Sequence, residues 1–126
     1  MYTKTIGTLA LASTLVLGAA APALAKGRVE RAGGSCATGV WKLKAKADNG
    51  GLDVEFEIDT NRNGQTWRVR VFDNGTRVIK TRATTHAPSG SFTIQKVVAN
   101  RMGSDRITAR ATNVATGKVC GGSVTF

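Results

Sequence analysis

Between residues 40 and 59 apolar and charged side chains alternate along two arms, VWKLKAKA and LDVEFEID, on either side of Asp48-Asn49-Gly50-Gly51. Alternation with period 2 marks a half-buried strand, and Asn-Gly supplies the two left-handed positions that a type I′ turn demands, so the stretch is predicted to be a β-hairpin. Counting outward from Asn49 and Gly50 sets the register. Lys46 falls opposite Asp53, Lys44 opposite Glu55 and Lys42 opposite Glu57, while Leu43 meets Phe56 and Ala45 meets Val54 on the other face. One turn thus sorts the apolar residues of 41–47 and 52–58 to one side and three pairs of opposite charge to the other.

The same alternation recurs down the chain. A third strand, 66–72, directs Trp67, Val69 and Val71 inward and Arg68, Arg70 and Phe72 outward. Asp73-Asn74-Gly75-Thr76 repeats the hairpin turn chemistry and makes a fourth strand, 77–82, its antiparallel neighbour. Val78 and Ile79 are adjacent there, which leaves the inward residue undecided and suggests a bulge. The fifth strand, 91–98, alternates through Phe92 and Ile94 before Val97 and Val98. In the sixth, 105–112, Ile107, Ala109 and Ala111 point inward, with Arg106, Thr108, Arg110 and Thr112 outward. The seventh, 118–126, has Cys120 and Val124 on one parity. Residues 60–65, 84–90 and 100–104 are turn-rich links. Helical periodicity is not sustained anywhere.

Seven short strands at this spacing predict an all-β chain, a seven-stranded antiparallel β-sandwich of the immunoglobulin or fibronectin type III kind. Strands one, two and five would form one sheet, and four, three, six and seven the other. Trp67 would be the buried aromatic.

Residues 1–25 read as a signal peptide and stand apart from the fold. Lys4 begins a basic region, an apolar run follows to about residue 20, and Ala23-Leu24-Ala25 after Pro22 is a small-x-small cleavage site. The run is shorter than the roughly 20 residues that span a bilayer. A secreted, extracellular monomer is therefore expected, touching membrane only through this leader before its removal. Residues 26–38, basic and glycine-rich, read as a flexible arm ordered only near Cys36, and 39–126 as the sandwich domain. Eighteen Lys and Arg against eight Asp and Glu give a formal charge of +10, an excess that favours anionic partners. Two cysteines in an exported chain predict one disulfide, Cys36 to Cys120. Closing a loop of roughly 85 residues, it is worth about 4–5 kcal/mol by chain entropy.

The runs WKLKAKADNGGLDVEFEIDTNRNGQTWRVRV, APSGSF, DRITARATN and TGKVC resemble an uncharacterised family of small secreted actinobacterial proteins with an immunoglobulin-like β-sandwich. The likeness covers 36–126. It implies secretion and a single disulfide, and brings no activity, cofactor or site residues.

Catalytic chemistry finds little to work with. His86 is the one histidine and no serine sits in a Gly-x-Ser-x-Gly setting, so neither a triad nor a histidine metal site can be assembled. Asp53, Glu55, Glu57 and Asp59 share a strand face as a glycosidase pair would, yet the first three each have a lysine opposite. Asp59-x-Asn61-x-Asn63-Gly64 matches the opening of a calcium loop, but Arg70 stands where the closing glutamate belongs. Asx turns account for the same residues, and neither metal nor cofactor is expected.

Four arginines remain. Arg68 and Arg70 on the third strand and Arg106 and Arg110 on the sixth face outward with no acid of matching parity. If those strands are neighbours, the guanidiniums form an anion-binding patch with Phe72 at its edge, and Arg77 and Arg82 extend it. The sequence thus points to a secreted, non-enzymatic binding or surface module for an anionic polymer: a cell-wall polymer, an acidic polysaccharide or extracellular nucleic acid, without specific nucleic-acid recognition. The alternative is a small inhibitor of an extracellular protease acting through the loop at 84–90.

Overall fold

A computed structural model of the chain describes residues 27–126, and the signal peptide expected at 1–25 lies outside the described residues. The described chain forms eight strands: β1 (Val29–Cys36), β2 (Gly39–Asp48), β3 (Gly51–Asp59), β4 (Thr66–Asp73), β5 (Thr76–Thr84), β6 (Ser91–Ala99), β7 (Arg106–Asn113) and β8 (Val119–Thr125). They make two four-stranded antiparallel sheets, ordered β1-β2-β3-β6 and β5-β4-β7-β8, that face each other across one core. The partition into sheets is the expected one.

The β2–β3 hairpin has the register counted out from its turn, with Lys46, Lys44 and Lys42 opposite Asp53, Glu55 and Glu57. Asn49 and Gly50 take φ values of 47° and 86°, the left-handed pair of a type I′ turn. Of the three charge pairs, Lys44 to Glu55 closes at 3.0 Å. Asp53 turns to the neighbouring strand, accepting hydrogen bonds from Gln95 Nε2 at 3.0 and 3.1 Å.

Two expectations are corrected. Residues 29–36, read as part of a flexible arm, are β1, paired to β2 from Val29 opposite Lys46 to Cys36 opposite Gly39, so the sandwich begins before residue 39 and has eight strands instead of seven. The strand escapes pattern reading because backbone hydrogen bonds, not alternating apolar residues, hold it. Its glycines serve packing: a Cβ on Gly34 would stand 3.0 Å from the Trp41 indole nitrogen.

Trp67, Val69 and Val71 of β4 are fully buried against Leu52, Val54, Phe56 and Ile58 of the opposite sheet, with Ile107, Ala109 and Ala111 beside them. Each edge of the sandwich is closed differently. On one side β1 and β2 approach β8: Cys36 and Cys120 form the expected disulfide with a Cα–Cα distance of 5.3 Å, and Arg28 lies 4.5 Å over the Phe126 ring. The Trp41 ring occupies the space that a Cβ on Gly122 would need. On the other side Lys96 Nζ of β6 donates to the Val78 carbonyl of β5 at 3.3 Å.

The loops at one end also interlock. Gly90 has φ 72°, and a Cβ there would strike the Arg62 backbone, so the 85–90 turn seats on the 60–65 link only through a glycine. Thr85, buried, accepts from Gln65 N at 2.9 Å and donates to the Arg62 carbonyl at 2.6 Å.

Because the bridge ties the first strand of one sheet to the last strand of the other, replacing both cysteines with alanine should lower Tm by roughly 15–40 °C. Thermal melts of the two oxidised proteins measure it. An unchanged Tm would show that the sheets hold together without the bridge.

Candidate functional site

The outer face of the second sheet follows from the burial of its inner one. With Trp67, Val69 and Val71 inside, Arg68, Arg70 and Phe72 have only the solvent side, and burial of Ile107, Ala109 and Ala111 does the same for Arg106, Thr108 and Arg110. Backbone pairing then sets these residues in rows. Arg82, Arg68 and Thr112 lie abreast on β5, β4 and β7; Lys80, Arg70 and Arg110 form the next row, which continues to Gly121 on β8. The row after that is Arg77, Phe72, Thr108 and Ser123.

Of the four arginines singled out from sequence, Arg68, Arg70 and Arg110 are thus grouped. Arg106 shares their face but stands at its end, opposite Thr125 and four residues from Arg110, roughly 13 Å along the strand. Its place beside the group is taken by β5, where Lys80 and Arg82 oppose Arg70 and Arg68 directly. A shallow depression there is lined by Arg68, Arg70, Lys80, Thr81 and Arg82. Sequence reading left Lys80 out because the orientation of β5 turned on the undecided pair Val78 and Ile79. Both residues turn toward the core through a bulge, with Ile79 opposite Val71 and Arg77 opposite Phe72. The extra residue returns Arg77 to the outer face.

No carboxylate counters these cations among the described residues. Glu30, Asp48, Asp53, Glu55, Glu57 and Asp59 belong to the first sheet, while Asp73 and Asp105 are fully buried. The ion pairs of the described residues, Arg28–Glu30, Lys44–Glu55 and Arg101–Asp73, leave the face untouched.

No family model, curated protein or solved structure matches the chain.

The other sequence candidates have structural occupations. Asp59 Oδ1 accepts from Asn61 N at 3.0 Å, and Asn61 has φ 60°, an Asx turn in the link that resembled a calcium loop. Among the described residues no three His, Cys, Asp or Glu side chains converge as metal ligands. The segment around His86 is a closed turn: Gly90 N and Ser91 N both donate to the His86 carbonyl, at 3.0 and 3.3 Å.

Sequence reading passed over one buried cluster. Asp73 and Asp105 sit inside the sandwich at the end of β4 and just before β7. Arg101 N donates to Asp105 Oδ1 at 3.3 Å, and Arg101 Nε lies 3.6 Å from Asp73 Oδ2, too far for a hydrogen bond. Both Asp73 oxygens and Asp105 Oδ2 have no donor. Two carboxylates can only accept, so a proton on one of them supplies the missing donor. Burial pushes the Asp73 carboxyl from 3.8 up to about 6; hydrogen bonding to Asp105 and the charge of Asp105 add to the rise, and Arg101 opposes it.

This has a consequence for stability. The folded chain keeps the Asp73 proton to about pH 6, whereas the unfolded chain releases it near 3.8. Stability from this group is complete below 3.8 and is lost as pH rises through about 6, by up to about 3 kcal/mol. Asp73→Asn keeps the shape and supplies a permanent donor. Thermal melts from pH 4 to 8 should show the variant gaining on the wild type across that window and exceeding it at neutral pH. Parallel profiles would mean that Asp73 ionises without cost.

Proposed function

We propose that this chain is a secreted, non-enzymatic binding module that holds an anionic polymer on the outer face of its second sheet. The observation that carries the reading is the segregation of charge. Lys80, Arg70 and Arg110 stand abreast with Arg82 and Arg68 in the next row, and no acid faces them among the described residues. Like charges directly opposed across strands cost roughly 0.2–1 kcal/mol each, and a bound polyanion relieves that repulsion while releasing its counterions. A surface kept only for solubility intersperses the two signs, as the first sheet does with Lys44 and Glu55. The disulfide is compatible with an extracellular location. The strand orders β2-β3-β6 and β5-β4-β7-β8 support an immunoglobulin or fibronectin type III kinship, with β1 as an addition at the edge.

Arg70→Gln with Arg110→Gln should reduce retention on heparin or on isolated cell wall and flatten the salt dependence of binding by about 1.5 in log–log slope. Lys42→Gln with Lys46→Gln removes the same net charge from the first sheet and should change little. Retention measured against salt concentration separates the two. Equal loss in both double variants would show that only net charge is read, and absence of retention of the wild type at low salt would end the binding-module reading.

A further inference from the structure

We propose that the polymer held on this face is a single-stranded phosphodiester chain, a nucleic-acid strand bound without regard to base sequence. The inference rests on the anion-binding reading above and adds the chemistry of the ligand. Phe72 is the observation that carries it. The residue is partly buried, with the remainder open to solvent, on a central strand, two residues from Arg70 on the same face and between Arg77 and Thr108 on the adjoining strands. It does not belong to the core or to the apolar residues packed against it. The cation–π contact of the described residues is Arg28 over Phe126, so the Phe72 ring has no such cover. Part of this apolar ring stays open to solvent among the cations. For a strand whose phosphates lie on neighbouring arginines, it is a stacking platform, since every base presents a π-face.

The spacing of the cations agrees. Arg68 and Arg70 are two residues apart on one strand, about 6.7 Å, and cross-strand partners stand about 5 Å apart, so phosphates of an extended chain can step from one row to the next while a base swings onto Phe72. Arginine forks suit phosphate oxygens, and the Thr108 and Ser123 hydroxyls, 2.9 Å apart in the Phe72 row, offer further polar contacts. The shape argues against a duplex. A sheet face without a projecting helix or ribbon cannot enter a groove, and a cylinder laid on it meets few of the cations.

The test is fluorescence anisotropy of the purified protein at low salt with labelled dT12, a deoxyribose-phosphate oligomer of equal length without bases, the dT12·dA12 duplex, and heparin and polyaspartate as competitors. Expected are tighter binding of dT12 than of the baseless oligomer, by roughly 5- to 100-fold, and loss of that difference in Phe72→Ala with affinity for the baseless oligomer unchanged. Arg70→Gln with Arg110→Gln should weaken both. If the duplex binds as tightly as the single strand, or the baseless oligomer as tightly as dT12, the strand assignment is overturned. If heparin or polyaspartate binds and dT12 does not, the phosphodiester assignment fails while the anion-binding reading stands; if nothing binds, both fail.

Discussion

Burial of Trp67, Val69 and Val71 between the two sheets is the constraint on which the rest of this molecule depends. A strand has two faces, and once one is committed to the core the side chains between must meet solvent. Arg68, Arg70 and Phe72 face outward for that reason alone. Because β4 pairs with β5 on one side and β7 on the other, its register hands the same choice to both neighbours. The strand positions that carry the cationic face are thus set by hydrophobic burial on the reverse.

The bulge at Val78 modifies this rule locally. Without the extra residue, Val78 would oppose Phe72 and put an apolar side chain on the cationic face. With it, two consecutive residues turn toward the core and Arg77 comes opposite Phe72. The carbonyl of the bulged residue is satisfied from the opposite sheet by Lys96. One irregularity therefore contributes at once to core packing, to closure of the sandwich edge and to the composition of the face.

How far the fold was legible depended on whether side chains or backbone carried the information. The β2–β3 hairpin was readable down to its register, because Asn49 and Gly50 admit essentially one turn and alternation confirms the count. β1 was not readable: Gly33 and Gly34 have no side chain with which to announce a buried face, and the strand exists through pairing with β2 and through the room that glycine leaves for Trp41. Arg68, Arg70 and Arg110 were found from parity, which needs only the strand that bears them. Lys80 was missed because its direction depends on a bulge that two adjacent apolar residues suggest but do not locate. The buried pair Asp73 and Asp105 hid for a different reason. Asp73 opens a turn of hairpin composition, and composition does not tell whether a turn residue points to solvent or to the core.

The two sheets solve the problem of charge in opposite ways, and the difference bears on how the molecule can tolerate its cationic face. On the first sheet lysines and carboxylates oppose one another, so its outer surface is close to neutral and self-contained. On the second, Arg68 opposes Arg82, and Arg70 lies between Lys80 and Arg110, with each opposition costing roughly 0.2–1 kcal/mol. A domain of this size has only several kcal/mol of net stability, of which such repulsion is an appreciable share. The bridge from Cys36 to Cys120, spanning 84 positions and worth about 4–5 kcal/mol by chain entropy, is larger than that cost. A polyanion bound on the cationic face, as proposed, would relieve the same repulsion from outside.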